Sequence, residues 1–175
     1  MLSSQKVRAL APEMDPLRMG MGWTREDLER PQVLVESTYG DSHPGSAHLN
    51  RLVEAAVRGA QDGGAKPARH FATDLCDGMG EGHDGINHSL AHRDLIAGMI
   101  EVHANATTFD AGVFVSSCDK AVPAHLMGVG RIDIPAVVVP GGVMAAGPDL
   151  LTLEQIGKYS AMQRRGEITQ EQLTY

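Results

Sequence analysis

Three side chains of different chemistry follow one another in the middle of the chain. Cys118, Asp119 and Lys120 close the apolar run Ala111-Gly112-Val113-Phe114-Val115 and its serines, Ser116 and Ser117. A thiolate is a soft ligand suited to iron–sulfur or zinc, and a carboxylate is a hard ligand suited to magnesium. Successive side chains leaving a strand diverge, so the pair could serve two neighbouring metals of different softness. Cys76-Asp77-Gly78 repeats the pattern after a second apolar run, and the chain has no other cysteine. The plainer alternative makes both cysteines small half-buried hydrophobes and both aspartates helix caps.

Other residues compete for a role. His88 and His92 stand four apart and would share one helical face, as zinc ligands often do, and His83-Asp84 lies in a glycine-rich loop nearby. A mononuclear zinc or iron hydrolase built on His83, Asp84 and His88 is therefore one alternative. A non-catalytic subunit without metal is another. The series Gly78, Gly80, Gly82 and Gly85 could cradle an anion with backbone N–H groups, but the Lys-Ser/Thr ending of a phosphate loop is missing.

Positioning these residues requires alternating elements. Val33–Ser37 reads as a first strand, closed by the turn-rich Tyr39-Gly40-Asp41-Ser42-His43-Pro44-Gly45. A helix is expected from Ser46, with Leu49, Leu52, Val53, Ala56, Val57 and Ala60 on one face and Gly63-Gly64 ending it. Residues 68–75 read as a second strand ending at Cys76, and 76–88 as a loop. Ser89 reads as the N-cap of a second helix with Leu95, Ile96, Met99, Ile100 and His103 inward. A strand to Ser117, a short helix around 123–130, a strand over 134–140 and a helix opened by the capping box Thr152-Leu153-Glu154-Gln155 complete the chain. Strands and helices alternating at this spacing imply an α/β fold, a parallel sheet flanked by helices in three layers. Residues 1–32, with Pro12, Pro16 and Pro31, read as an irregular segment apart from one helical turn at Arg25–Arg30, leaving 33–175 as the α/β metal platform.

Composition sets limits. A net charge of −7 over 175 residues disfavours a nucleic-acid partner, which wants a basic face. No run approaches the roughly 20 apolar residues of a membrane span, and the start has no secretory core, so a reduced cytoplasmic setting is expected.

The ordered motifs Cys76-Asp77-Gly78, Gly82-His83-Asp84-Gly85, Ser89-Leu90 with Arg93-Asp94-Leu95-Ile96, Ser117-Cys118-Asp119-Lys120, and Pro140-Gly141-Gly142 with Gly147 resemble the dihydroxy-acid and 6-phosphogluconate dehydratase family. The resemblance runs from about Val33 to Tyr175. It implies the N-terminal domain of a larger fold, in a lyase that converts 2,3-dihydroxy acids or sugar acids to 2-keto acids. It also implies an iron–sulfur cluster, [2Fe–2S] or [4Fe–4S], and Mg2+. Cys118 would then be a cluster ligand and Cys76 a second one, while Asp77, Asp119 and Lys120 would hold magnesium. Lys120 would act in catalysis as a carbamylated ligand. The partner implied is a small hydroxy acid, in a homo-oligomer of the full-length form. Pro44-Gly45-Ser46 stands where dihydroxy-acid dehydratases carry a loop cysteine, which favours a site containing Cys76 or a [4Fe–4S] cluster. A further cluster cysteine, a further magnesium ligand and the serine base would lie beyond Tyr175, so the chain by itself is expected to be inactive.

Overall fold

The computed structural model describes residues 1–174. It divides into two compact units, Met1–Val143 and Met144–Tyr175. The first opens with three short helices, α1 (Ser3–Leu10), α2 (Met14–Gly20) and α3 (Arg25–Glu29), where the sequence reading expected mostly irregular chain. The prolines limit helix length without preventing helices. Pro16 falls in the first turn of α2, where its missing N–H costs nothing, and Thr24 and Asp27 close a capping box on α3 at 3.1 and 3.0 Å. The segment is tied to the sheet: the Asp110 carboxylate accepts from Ser4 N–H, Ser4 Oγ and Gln32 N–H at 2.9, 2.6 and 2.8 Å. Arg18 is buried over the Trp23 ring and bonded to Gln32.

The strands and helices that follow are β1 (Gln32–Ser37), α4 (Leu49–Asp62), β2 (Lys66–Phe71), α5 (Asp77–Gly80), α6 (Ser89–Thr107), β3 (Ala111–Ser116), α7 (Ala121–Ile132) and β4 (Ala136–Pro140). All pairings are parallel, in the order β2-β1-β3-β4. Alternate residues of the central strands face opposite layers, as the pleat requires. Leu34 and Phe114 pack with Ile96, Ile100, Ala121 and Ala124 of α6 and α7. Val35 and Val115 pack with Leu49 and Val53 of α4, joined by Leu52, Ala56 and Val57 as the helical spacing predicts. This is the expected three-layer α/β/α arrangement.

Three details differ from the sequence reading. β2 ends at Phe71, because its partner β1 ends at the paired Ser37, so residues 72–76 continue without a ladder and Cys76 does not sit at a strand end. The glycine-rich stretch contains α5 and a 3-10 turn at Asp84–His88. In α6, Ser89 is the first helical residue rather than the cap. Leu95 is 62 % exposed and lines an open cavity of about 550 Å³ with His70, Met99, Val102 and His103, whereas Ala97 and Ala104 take inward positions.

The second unit holds a 3-10 turn at Pro148–Leu150, α8 (Leu153–Arg164) and α9 (Gln170–Thr174). Thr152 N–H donates to Gln155 Oε1 at 2.8 Å, the capping box the sequence announces. Among the described residues no helix is long and apolar enough to cross a membrane.

Candidate metal centre

The strand order changes direction between β1 and β3, and in open α/β sheets ligands bind at the carboxyl ends of the strands flanking such a switch. The loops after β1, β2 and β3 meet there. Cys118 follows β3 with φ 69, a left-handed conformation that costs a residue with a Cβ about 1–3 kcal/mol. Ser117 Oγ donates to the Gly45 carbonyl and ties the loop after β1 to the same turn. Gly45 is needed there, because a Cβ on it would lie 2.1 Å from Cys118 Sγ.

Two groups of side chains form at this end. In the first, Lys120 Nζ donates to Asp77 Oδ2 at 2.6 Å and to Asp119 Oδ2 at 2.7 Å. The hydrogen bonds to Asp119 and then Asp77 hold the Lys120 ammonium above its ordinary pKa. Burial alone would raise the Asp77 carboxyl, but the bond from Lys120 and further hydrogen bonds bring it below its usual value. Asp77 Oδ1 is buried and has no hydrogen-bond partner. The three residues predicted to hold magnesium are therefore together, with the ammonium between two carboxylates where a cation could sit.

The second group surrounds Cys118. Its members are His43 and Asp74, which the sequence reading did not single out. Cys118 Sγ lies 4.0 Å from His43 Nδ1, and His43 Nε2 lies 3.4 Å from Asp74 Oδ2. Asp74 Oδ1 accepts from Leu75 N–H at 2.8 Å and is bonded to His92 Nε2 at 3.1 Å. Burial raises the Asp74 carboxyl above its ordinary value in spite of the two imidazoles. Burial first, and then the charges of Asp74, Cys76 and Asp119, push the Cys118 thiol up to about 11. Such a thiol is neutral near pH 7 and is no free nucleophile; a bound cation would displace its proton.

Cys76 is close enough for its charge to act on Cys118 but does not belong to the ligand group around it. Nor are the residues of the hydrolase alternative brought together. His83 accepts from Gly85 N–H and its other ring nitrogen bonds the Met79 carbonyl, so both nitrogens are occupied locally, and Asp84 and His88 are exposed. His92, four residues after His88, does take a partner, but it is Asp74. The pattern Asp74-Leu75-Cys76-Asp77 carries two acids, and only the second was legible beside a cysteine; His43 looked like one more polar residue in a turn.

The residues from 30 to 175 match the family model described as dihydroxy-acid/6-phosphogluconate dehydratase N-terminal. The chain belongs to that family. The match takes in every residue of both groups and leaves α1 to α3 outside. A dihydroxy-acid dehydratase of Methanosarcina barkeri is 39% identical over 159 residues, which are 85% of this chain and 29% of the relative. One of Moorella thermoacetica is 44% identical over 139 residues, covering 79% of this chain and 25% of the relative. One of Nitratidesulfovibrio vulgaris is 41% identical over 160 residues, covering 87% and 28%. The chain thus spans less than a third of the length of these dehydratases.

Proposed function

We propose that this chain is the metal-holding N-terminal part of a hydro-lyase that removes water from a 2,3-dihydroxy acid, or from a sugar acid, to leave a 2-keto acid. The observation that carries the reading is the meeting of Asp77, Asp119 and Lys120 at the carboxyl end of the sheet, in a chain whose relatives are named dihydroxy-acid dehydratase. Magnesium suits this set. Asp77 offers a buried oxygen without a partner, Asp119 a carboxylate 65% exposed, and Lys120 a nitrogen that would carry a further oxygen as a carbamate. When bound, the cation supplies positive charge against the enolate-like species that forms as C2 loses its proton.

The chain's own residues prepare that site. Lys120 keeps its proton and offsets the repulsion of two adjacent carboxylates until a cation replaces it. Asp77 opens α5, and Asp119 and Lys120 immediately precede α7, so the ligands stand at the starts of two helices. The iron–sulfur part of the reading rests on Cys118. Cys76, whose charge acts on Cys118, is proposed as a second thiolate of that cluster. The base is proposed to lie in a C-terminal domain, and the setting to be a cytoplasmic self-associated enzyme.

The test is a chimera in which residues 30–175 replace the matching segment of the Moorella relative. Turnover of a dihydroxy or sugar acid to keto acid, lost with Asp119→Asn, is the expected result. A folded, metal-loaded chimera without turnover would count against the reading.

A further inference from the structure

We propose that the outward face of α6 is a contact between two copies of this chain, packed antiparallel about a twofold axis that passes between Gly98 and Met99. The proposal rests on the self-association stated above and deepens it by naming the surface.

α6 is apolar on two sides. Ile96, Ile100 and Ala104 are buried toward the sheet, while Leu95 and Val102 on the other side are 62% and 69% exposed and line the open cavity with Met99. A helix that is apolar all round belongs in an interior, and an exposed apolar stripe marks an interaction site. Leu95, Gly98, Met99 and Val102 recur at three- and four-residue spacing, the spacing by which one helix packs along another.

Gly98 is an independent sign. A glycine inside a helix destabilises it relative to alanine. A Cβ at Gly98 would meet no atom within 4 Å, so no contact within the chain requires the missing side chain. What it leaves is a shallow spot in the stripe, open to a side chain from outside.

The face is complementary to itself. Antiparallel pairing about the stated axis sets Leu95 against Val102, Gly98 against Met99 and Asp94 against His103 of the second copy. Apolar meets apolar, small meets large, and a carboxylate meets an imidazole. A parallel pair would set Asp94 against Asp94, which is repulsive. The imidazole is held in place by stacking on His70, with ring centroids 3.9 Å apart and 9° between the planes, and Phe109 lies 5.9 Å from it. Arg93 engages Asp94 Oδ1 at 3.3 Å, which leaves Oδ2 to accept from the imidazole. One helix face is smaller than a standard interface, so association of the 175-residue chain is expected to be weak and reversible.

Sedimentation velocity of the 175-residue chain, from micromolar to millimolar concentration, should show a monomer–dimer equilibrium. Gly98→Leu fills space that is empty in the monomer, so the protein should stay folded while the dimer weakens at least about tenfold. Val102→Glu should abolish the dimer and Asp94→Lys should weaken it. Leu95→Cys and Val102→Cys proteins, mixed under mild oxidation and mapped by mass spectrometry, should form a disulfide joining position 95 of one copy to 102 of the other. A dimer that survives Gly98→Leu and Val102→Glu would overturn this surface and leave self-association standing. Links of 95 to 95 or 102 to 102 in place of the mixed one would overturn the antiparallel pairing. A chain that stays monomeric throughout would overturn the surface, while self-association is read separately from the size of the Moorella chimera. A Val102→Cys thiol shielded from alkylation in a monomeric chimera would also overturn it, giving the face to the C-terminal part of the longer chain.

Discussion

His125 on α7 and Glu36 on β1 meet inside the core, both side chains fully buried, with His125 Nε2 bonded to Glu36 Oε2 and His125 Nδ1 donating to the Ala121 carbonyl at 2.7 Å. Burial alone would lower the imidazole's pKa, but the bond and charge of Glu36 raise it above the ordinary value. A buried pair is costly to break from one side, because the survivor is left unpaired. Glu36→Ala or His125→Ala should therefore lower the unfolding free energy by about 3–5 kcal/mol, read from urea denaturation. The pair's contribution is complete below the ordinary histidine value near 6.5 and is lost as pH rises through the raised folded value. The wild type should lose stability as pH rises from the ordinary histidine value through the raised one, and Glu36→Gln should flatten that slope. A wild-type midpoint that rises over this range would contradict the assignment.

Gly45 meets the site through its carbonyl, which accepts from Ser117 Oγ, and through its missing side chain. The methyl of Gly45→Ala would overlap Cys118 Sγ, so the thiol or the loop must move. A cost of about 1–3 kcal/mol in stability is expected from such overpacking, together with a changed rate of Cys118 alkylation. A variant identical to wild type in both measurements would show that the loop is freer than its contacts imply.

The iron–sulfur part of the dehydratase reading is tested by analysing anaerobically purified protein for iron and acid-labile sulfide. Matching amounts, lost in Cys118→Ser, are expected. Iron or zinc without sulfide would remove the cluster from the account.

Much of the fold was legible because the signals were local. The apolar runs Val33–Ser37 and Ala111–Ser116, the helical face from Leu49 to Val57 and the capping box at Thr152 all appear where the sequence placed them. The Asp77, Asp119 and Lys120 group was legible because each acid followed a cysteine. What could not be read came from tertiary pairing. The end of β2 is set by the end of β1, the first helix is held by Asp110 and the next two by Gln32 and Lys66, and His43, Asp74 and His92 acquire meaning only when three loops converge.

Asp110 links the N-terminal helices to the start of two strands through three hydrogen bonds, two of them to Ser4. Asp110→Ala leaves those donors without an acceptor and should cost about 1–3 kcal/mol. Proteolysis should then open the first 30 residues while the sheet stays protected. Equal protection in wild type and variant would show that Arg18 and Trp23 hold the segment without it.

The central claim is that Asp77, Asp119 and Lys120 form a hard-cation site apart from Cys118, and Mn2+ binding followed by electron paramagnetic resonance tests it most directly. Manganese takes the oxygen ligands that suit magnesium. The account predicts a bound Mn2+ signal that Asp77→Asn and Asp119→Asn abolish and Cys118→Ser leaves intact. A signal indifferent to both aspartates, or one lost with Cys118, would contradict it.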